Sequence, residues 1–196
     1  IGATLDFPIP PGCESKQERD LRFQATLTNA EWALQNNRRT DLLLYASLQC
    51  WDINSAREAA CIYTKMKHHD RRFSGIAIGG MVPRLRNPEY VKSIIETVRE
   101  EWQGPIHIFG VGSPTMVRNC LEWGADSTDS SSFVQYAANG RHLNPRVPTI
   151  PNNQLTPLDR MQLALRNLAY LLDPTNDFLP LSAIGERLSS PENTTL

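Results

Sequence analysis

The stretch Ile106–Phe133, IHIFGVGSPTMVRNCLEWGADSTDSSSF, decides the fold. It opens on an apolar run that ends in a loop freed by Gly110 and Gly112, then enters a helix at Ser113-Pro114. A second short strand, Ala125 to Thr128, closes it. Serine as N-cap with proline at the first helical position marks a helix start. Strand, glycine loop, helix, strand is the grammar of a parallel α/β sheet. Asp129 follows the second strand directly and three serines follow Asp129. A carboxylate there stands at the C-terminal end of a strand, where α/β barrels hold their chemistry. Taken alone, an Asp at a strand-to-helix junction is more often the helix N-cap.

The same grammar extends outward in both directions. SGIAIGGM (Ser74–Met81) is a strand closing on Gly79-Gly80, where the missing Cβ atoms let a flat ligand approach the backbone. Upstream, strand ATLD leads to a helix over about Glu14–Asn36, with Leu21, Ala25, Leu27, Ala30 and Leu34 as its apolar stripe. DLLLYASLQ (Asp41–Gln49) is a continuous apolar run, as a strand covered on both faces requires. Helices are predicted over about Ser55–His68, Pro88–Trp102, Pro114–Trp123 and Ser131–Ala138. The sum is about five βα units at the spacing of a parallel sheet. A closed TIM barrel has eight, typically in about 250 residues. The predicted fold class is therefore α/β: the C-terminal portion of a TIM (β/α)8 barrel, plus a C-terminal helix. Residues 1–143 form the barrel portion and 144–155 a proline-rich connector. In the second, RHLNPRVPTIPNNQLTP carries four prolines in and beside the connector. Thr156-Pro157 then opens a helix through about residue 173, expected to pack on the barrel. The polar tail 174–196 is expected to be partly disordered.

Composition narrows the function classes. A formal net charge of −1 gives no global basic field. Basic residues gather locally instead, at Arg71-Arg72, at Arg84 and Arg86, and from Arg141 to Arg146. Four cysteines stand far apart without CxxC spacing, which argues against a zinc site and a disulfide framework and fits reduced thiols in a cytoplasmic protein. Of the four histidines, His68-His69 is expected to end a helix, His107 lies within a strand, and His142 in a loop. No apolar run approaches the roughly 18 residues that span a bilayer. The chain begins on Ile1 without a signal peptide, which is read here as a fragment whose earlier barrel units precede it.

Taken in order, GIAIGG, GVGSP and GADSTD resemble the tRNA-guanine transglycosylase superfamily, whose pattern is an aIGGl strand end, a GVGxP loop and a GvDmFDcvmPTRnaRnG segment. Gly124-Ala125-Asp126 matches the GvD, Asp129 falls on the nucleophilic aspartate, and Ala138-Asn139-Gly140 on the end of RnaRnG. LDFP (Leu5–Pro8) takes the place of fDeC, and ASLQCWD (Ala46–Asp52) that of givQGG. The resemblance implies that Asp129 is catalytic, that Asp6 and Gln49 read the base, and that Gly79, Gly80 and Met81 wall its pocket. Arg84, Arg86, Arg141 and Arg146 are candidate nucleic-acid contacts on the loops after strands. The family's CxCxxC…H zinc site is missing, so no metal and no cofactor are expected, and its TDSGGFQ segment is also absent from the chain. The two arginines of PTRnaR, which grip tRNA, are Gln135 and Ala138 here. That combination resembles the DNA-directed branch, which places 7-deazaguanine bases in DNA. The expected partners are nucleic acid, DNA favoured over tRNA, and a 7-deazaguanine base; a homodimer or a partner subunit stays open.

These residue types suit base exchange at a nucleoside. A carboxylate can form and later release a covalent sugar ester, as in retaining glycosidases. A guanine edge offers N1–H and N2–H donors to a second carboxylate and an O6 acceptor to an amide. Three other classes of answer remain at this point: a tRNA-guanine (queuine-type) transglycosylase, a non-catalytic barrel partner, and a phosphate-binding barrel with GVGSP at a helix N-terminus. Asp126, two residues before the strand's end, reads as a structural hydrogen-bonding residue.

Overall fold

The computed structural model describes residues 1–13 and 15–173; the expected tail, 174–196, and Glu14 lie outside them. Among the described residues five strands form one sheet in the order β1-β2-β3-β4-β5, every neighbouring pair parallel. They are β1 (Gly2–Ala3), β2 (Leu44–Leu48), β3 (Gly75–Ile78), β4 (Ile106–Ile108) and β5 (Ser127–Thr128). Helices α1 (Lys16–Asn36), α2 (Ile53–Lys65), α3 (Pro88–Glu101) and α4 (Pro114–Glu122) connect them in turn. Strand order equal to chain order, with a helix at each crossover, is the arrangement of a (β/α)8 barrel, and the chain holds five strands of one.

The two sheet faces differ in chemistry, and the difference follows from the two-residue period of a strand. Ala46 and Leu48 of β2, Ile76 and Ile78 of β3, and Ile106 and Ile108 of β4 belong to one buried core with Ala56, Ala59 and Ala60 of α2 and Val91, Ile94, Ile95 and Val98 of α3. Each fully buried isoleucine contributes roughly 1.5–3 kcal/mol. Tyr45 and Ala77, although buried, stand outside that core. Register places Ser47 beside Ala77, Ala77 beside His107, and His107 beside Ser127 along this second face. The apolar run in β2 is thus buried on both sides, as its composition implies, and the core of helical residues among the described residues includes one side of it.

Local capping sets the helix starts. Ser113 Oγ accepts from Met116 N at 3.2 Å with Pro114 at the first helical position. Asp52 and Ser55 form a reciprocal capping box for α2. Two expectations are corrected. Leu21 is 63% exposed, because the inward stripe of α1 is phased on Phe23, Thr26, Leu27, Ala30 and Leu34. His68 and His69 do not end α2, which stops at Lys65; His68 exchanges backbone hydrogen bonds with Arg71, and His69 takes a left-handed φ of 52° in the tight turn between them.

The chain divides into two compact units, residues 1–130 and 131–196. The first contains the whole sheet. In the second, α5 (Ser132–Ala138) pairs with α6 (Pro157–Leu172), and buried Asn167 ties them by donating to the carbonyls of Phe133 and Arg141 and accepting from Leu143 N. Thr156 and Asp159 cap α6 reciprocally, with Pro157 at its first position as the sequence predicts.

Arg99 is the main polar clamp of the first unit. Its guanidinium donates to the carbonyls of Gly124 and Gly104 and pairs with Asp126 at 2.6 Å. Asp126 Oδ2 also accepts from Ile106 N at 2.8 Å, the structural hydrogen bond its position implies. One side chain therefore fixes the entries to β4 and β5 together. Arg99→Ala is expected to lower stability by about 1.5–3 kcal/mol, the range for hydrogen bonds to charged groups. A urea midpoint unchanged by the substitution would refute the clamp.

Candidate active site

The loops at the C-terminal ends of β1, β2 and β3 bring Asp6, Gln49 and Gly79 together. Gln49 is 2% exposed. Its Nε2 donates to Asp6 Oδ2, and its Oε1 accepts from Ile9 N at 3.4 Å. The position follows from register. Thr4 N donates to Tyr45 O beyond the end of β1, and Ser47 N donates to Thr4 Oγ1, so Asp6 and Gln49 each lie two residues past a locked pair. Phe7 N donates to Thr26 Oγ1 and Arg22 to Pro8 O, which pin the intervening loop to α1.

Gly79 closes the arrangement from below. A Cβ there would collide with the Gln49 amide and stand 3.3 Å from Asp6 Oδ2. Gly80, at φ +70°, turns the chain away; its carbonyl accepts from Arg84, whose other terminal nitrogen donates to Ile9 O at 3.0 Å. Arg84 therefore braces two loops instead of extending outward. The short 3-10 turn at Val82–Arg84 carries the side chain back over Gly80. Met81 is wholly buried in the core beneath. Arg86 is exposed on the same turn. Arg141 and Arg146 are exposed in the second unit, with Arg141 stacked 4.6 Å above the Tyr136 ring.

The second half of the site lies on β4 and β5. Asp129 Oδ1 accepts from Gly110 N at 2.7 Å, and the side chain is 58% exposed. Gly110 has φ +79°, and a Cβ on it would run into Val82, so glycine is required on both counts. The N-cap residue of α5 is Ser131, not Asp129. His107 Nε2 stands 3.6 Å from the same carboxylate oxygen, while its Nδ1 lies 2.9 Å from Ser127 Oγ. This contact was not drawn from the sequence, although the signal was present. His107 and Ser127 are paired residues, and Asp129 is two further on, so alternation puts all three on one face.

Among the described residues, no group of three or more His, Cys, Asp or Glu side chains is placed to hold a metal ion, and no helix is long and apolar enough to cross a membrane. Cys50, beside Gln49, is fully buried, which pushes its thiol up to about 12 and keeps it protonated.

A strand-end carboxylate on a glycine loop thus stands at the same end of a parallel sheet as a part-buried amide–carboxylate pair, the arrangement of an α/β-barrel site. The family model described as queuine tRNA-ribosyltransferase matches residues 1–180, and the chain belongs to that family. It is 30% identical over 149 residues to a tRNA-guanine(15) transglycosylase of Methanococcus aeolicus, covering 73% of this chain and 22% of that protein. It is also 30% identical to those of Thermococcus onnurineus and Pyrococcus furiosus, over 74% of this chain and 24% of each. The chain thus spans about a quarter of the length of the curated relatives it matches.

Gly79→Ala is expected to displace the Gln49 amide from Asp6, since the new methyl and the amide cannot share the space. The side-chain amide NMR signals of Gln49 should move sharply, without loss of the folded spectrum. Unchanged Gln49 signals would show that the site is looser than its packing implies.

Proposed function

We propose that the protein exchanges guanine at a nucleoside of tRNA for a 7-deazaguanine base, through a covalent ester on Asp129. The observation that carries this reading is Asp129 itself. It stands at the end of β5, oriented by Gly110 N–H and open to solvent, at the sheet end that also holds Asp6 and Gln49.

Asp129 attacks C1′ of the ribose as the bond to N9 of guanine breaks, leaving an aspartyl-sugar ester and free base. N9 of the incoming base then attacks C1′ from the opposite face and releases the carboxylate, so configuration is retained. The departing base gains the proton that the incoming one loses, and exchange is proton-neutral. The free oxygen of Asp6 accepts from N1–H or N2–H of the purine, and the second Nε2 hydrogen of Gln49 is directed to O6. A base lacking these groups leaves buried partners unpaired, which is the basis of strong discrimination. His107 holds Asp129 in place from the strand side, with Ser127 fixing its ring.

The matched relatives are named for tRNA guanine, which supports tRNA. A second reading, DNA, is favoured by Gln135 and Ala138, which stand where the family's two tRNA-gripping arginines are expected. Arginine contacts of that kind are worth on the order of 1–3 kcal/mol each.

Asp129→Asn is expected to abolish the ester and lower exchange by at least about a thousandfold, as loss of a covalent nucleophile does. The check is a denaturing gel for the protein–nucleic acid adduct, beside incorporation of labelled 7-cyano-7-deazaguanine into equal amounts of tRNA and unmodified plasmid. Full exchange by the variant would reject Asp129, and label entering plasmid in preference would select DNA. His107→Phe should lower kcat by about tenfold, with KM for the base unchanged, because it frees the carboxylate without touching the base pocket. An unchanged kcat would remove His107 from the site.

A further inference from the structure

The loop after β1 and the turn after β3 also wall a cleft of about 410 Å³, which shares Arg84 with the base site. Its lining carries three guanidinium groups, Arg19, Arg84 and Arg86, and two aromatic rings, Trp51 and Tyr90, with no carboxylate among the described residues. Arg19 lies 5.7 Å from the Trp51 ring centre, and Arg84 lies 5.8 Å from that of Tyr90. Phe23 presses edge-on against Trp51 at 5.5 Å, so the indole is held rigidly.

Two atoms in this cleft lack what they need. Arg19 Nε is buried without a hydrogen-bond partner, and the Tyr90 hydroxyl, with the Arg84 guanidinium beside it as a donor, has no acceptor for its own proton. Buried donors left unpaired are costly, and native proteins rarely keep them without use. Burial pushes the Tyr90 phenol up to about 12, so it stays protonated and offers a donor. Three guanidinium groups and a phenol in the lining outweigh Asp52, the one carboxylate that acts on Tyr90 from outside it, and select an anion. A lone phosphate leaves most of such a volume empty, whereas a nucleotide is of the size that clefts of several hundred cubic ångströms hold. The proline-rich walls at Pro10, Pro11 and Pro83 suit the flat, weakly polar faces of a sugar and base.

We propose that this cleft is a nucleotide subsite, taking the phosphate, sugar and base of a residue that neighbours the exchanged guanosine on the substrate strand. The assignment rests on the base-exchange reading above. Arg84 couples the two sites. It holds Gly80 and Ile9 at the base pocket while its aromatic partner Tyr90 lines the cleft, so the two sites share one side chain. Arg19 and Arg86 meet the phosphate, and the Tyr90 hydroxyl donates to a phosphate or sugar oxygen.

The test is isothermal titration of the protein with guanosine, the dinucleotides GpA and ApG, and AMP. At least one dinucleotide is expected to bind about tenfold tighter than guanosine. Arg19→Gln and Tyr90→Phe should each remove most of that advantage and leave guanosine binding unchanged. Tyr90→Phe deletes a single oxygen and keeps the ring, so it separates lost binding from lost folding. Asp6→Asn should do the converse, weakening guanosine while the dinucleotide advantage survives. If neither Arg19→Gln nor Tyr90→Phe alters dinucleotide affinity while Asp6→Asn lowers it, the subsite is wrong and the base reading stands. If Asp6→Asn leaves guanosine binding untouched, the base reading itself fails. Arg19-dependent AMP binding, with dinucleotides no tighter than guanosine, would make the cleft a site for free nucleotides and overturn its assignment to the strand.

Discussion

Register between parallel strands is the constraint on which the site depends. Ser47, Ala77, His107 and Ser127 stand side by side along one sheet face. Two residues further along three of these strands come Gln49, Gly79 and Asp129. Slipping any strand by one residue would drive its polar residues into the isoleucine layer against α2 and α3, and expose that layer in exchange. Burial of Ile76, Ile78, Ile106 and Ile108 therefore holds the chemistry in place, although none of them belongs to the site. The loops add little freedom of their own. Ile9 is fixed through both its N–H and its carbonyl, the one to Gln49 and the other to Arg84.

Most of the architecture was legible because parallel α/β units announce themselves. Apolar runs end in glycine, helices begin at Ser-Pro, Asn-Pro or Thr-Pro, and the strand-to-strand interval repeats. Strand lengths were less legible: β1 and β5 pair over only two residues each, where ATLD and ADST suggested four. Pairing ends where a neighbour's backbone turns away, and no propensity encodes the neighbour. Leu21 lies off the inward stripe of α1 for a related reason. Apolar residues occur on both sides of that helix, and Phe23 makes the larger buried contact.

Within the site, residue identities could be anticipated and their connections could not. Gln49 reads either as a base-reading amide or as a cap on a backbone carbonyl; in the structure its amide N–H donates to Asp6 and its oxygen accepts from Ile9 N. Arg84 reads as an outward cation, yet two carbonyls turn it inward. A guanidinium has five donors and no acceptor, so loops with unpaired carbonyls capture it when a tight turn brings it near. No local pattern distinguishes such an arginine from one facing solvent. The His107–Asp129 contact is different: strand alternation and the β4–β5 pairing contain it, once the register is known.

The expectation of DNA rests on contacts that the sequence lacks. Gln135 and Ala138 remove two cationic contacts, but they lie on α5, in the unit that begins at Ser131. Asp6, Gln49, Asp129 and the arginine cleft all lie before that boundary. Losing arginines from one unit thus leaves the proposed base site in the other intact. What distinguishes tRNA from DNA physically is the 2′-hydroxyl and the shape of a loop whose bases are already unstacked. A guanosine in duplex DNA must first be extruded, at a cost of a few kcal/mol. With a formal charge of −1, the chain has no broad cationic field to offset that cost. A tRNA guanine that is already unstacked would spare that cost, which is the physical ground for preferring tRNA in the reading proposed above.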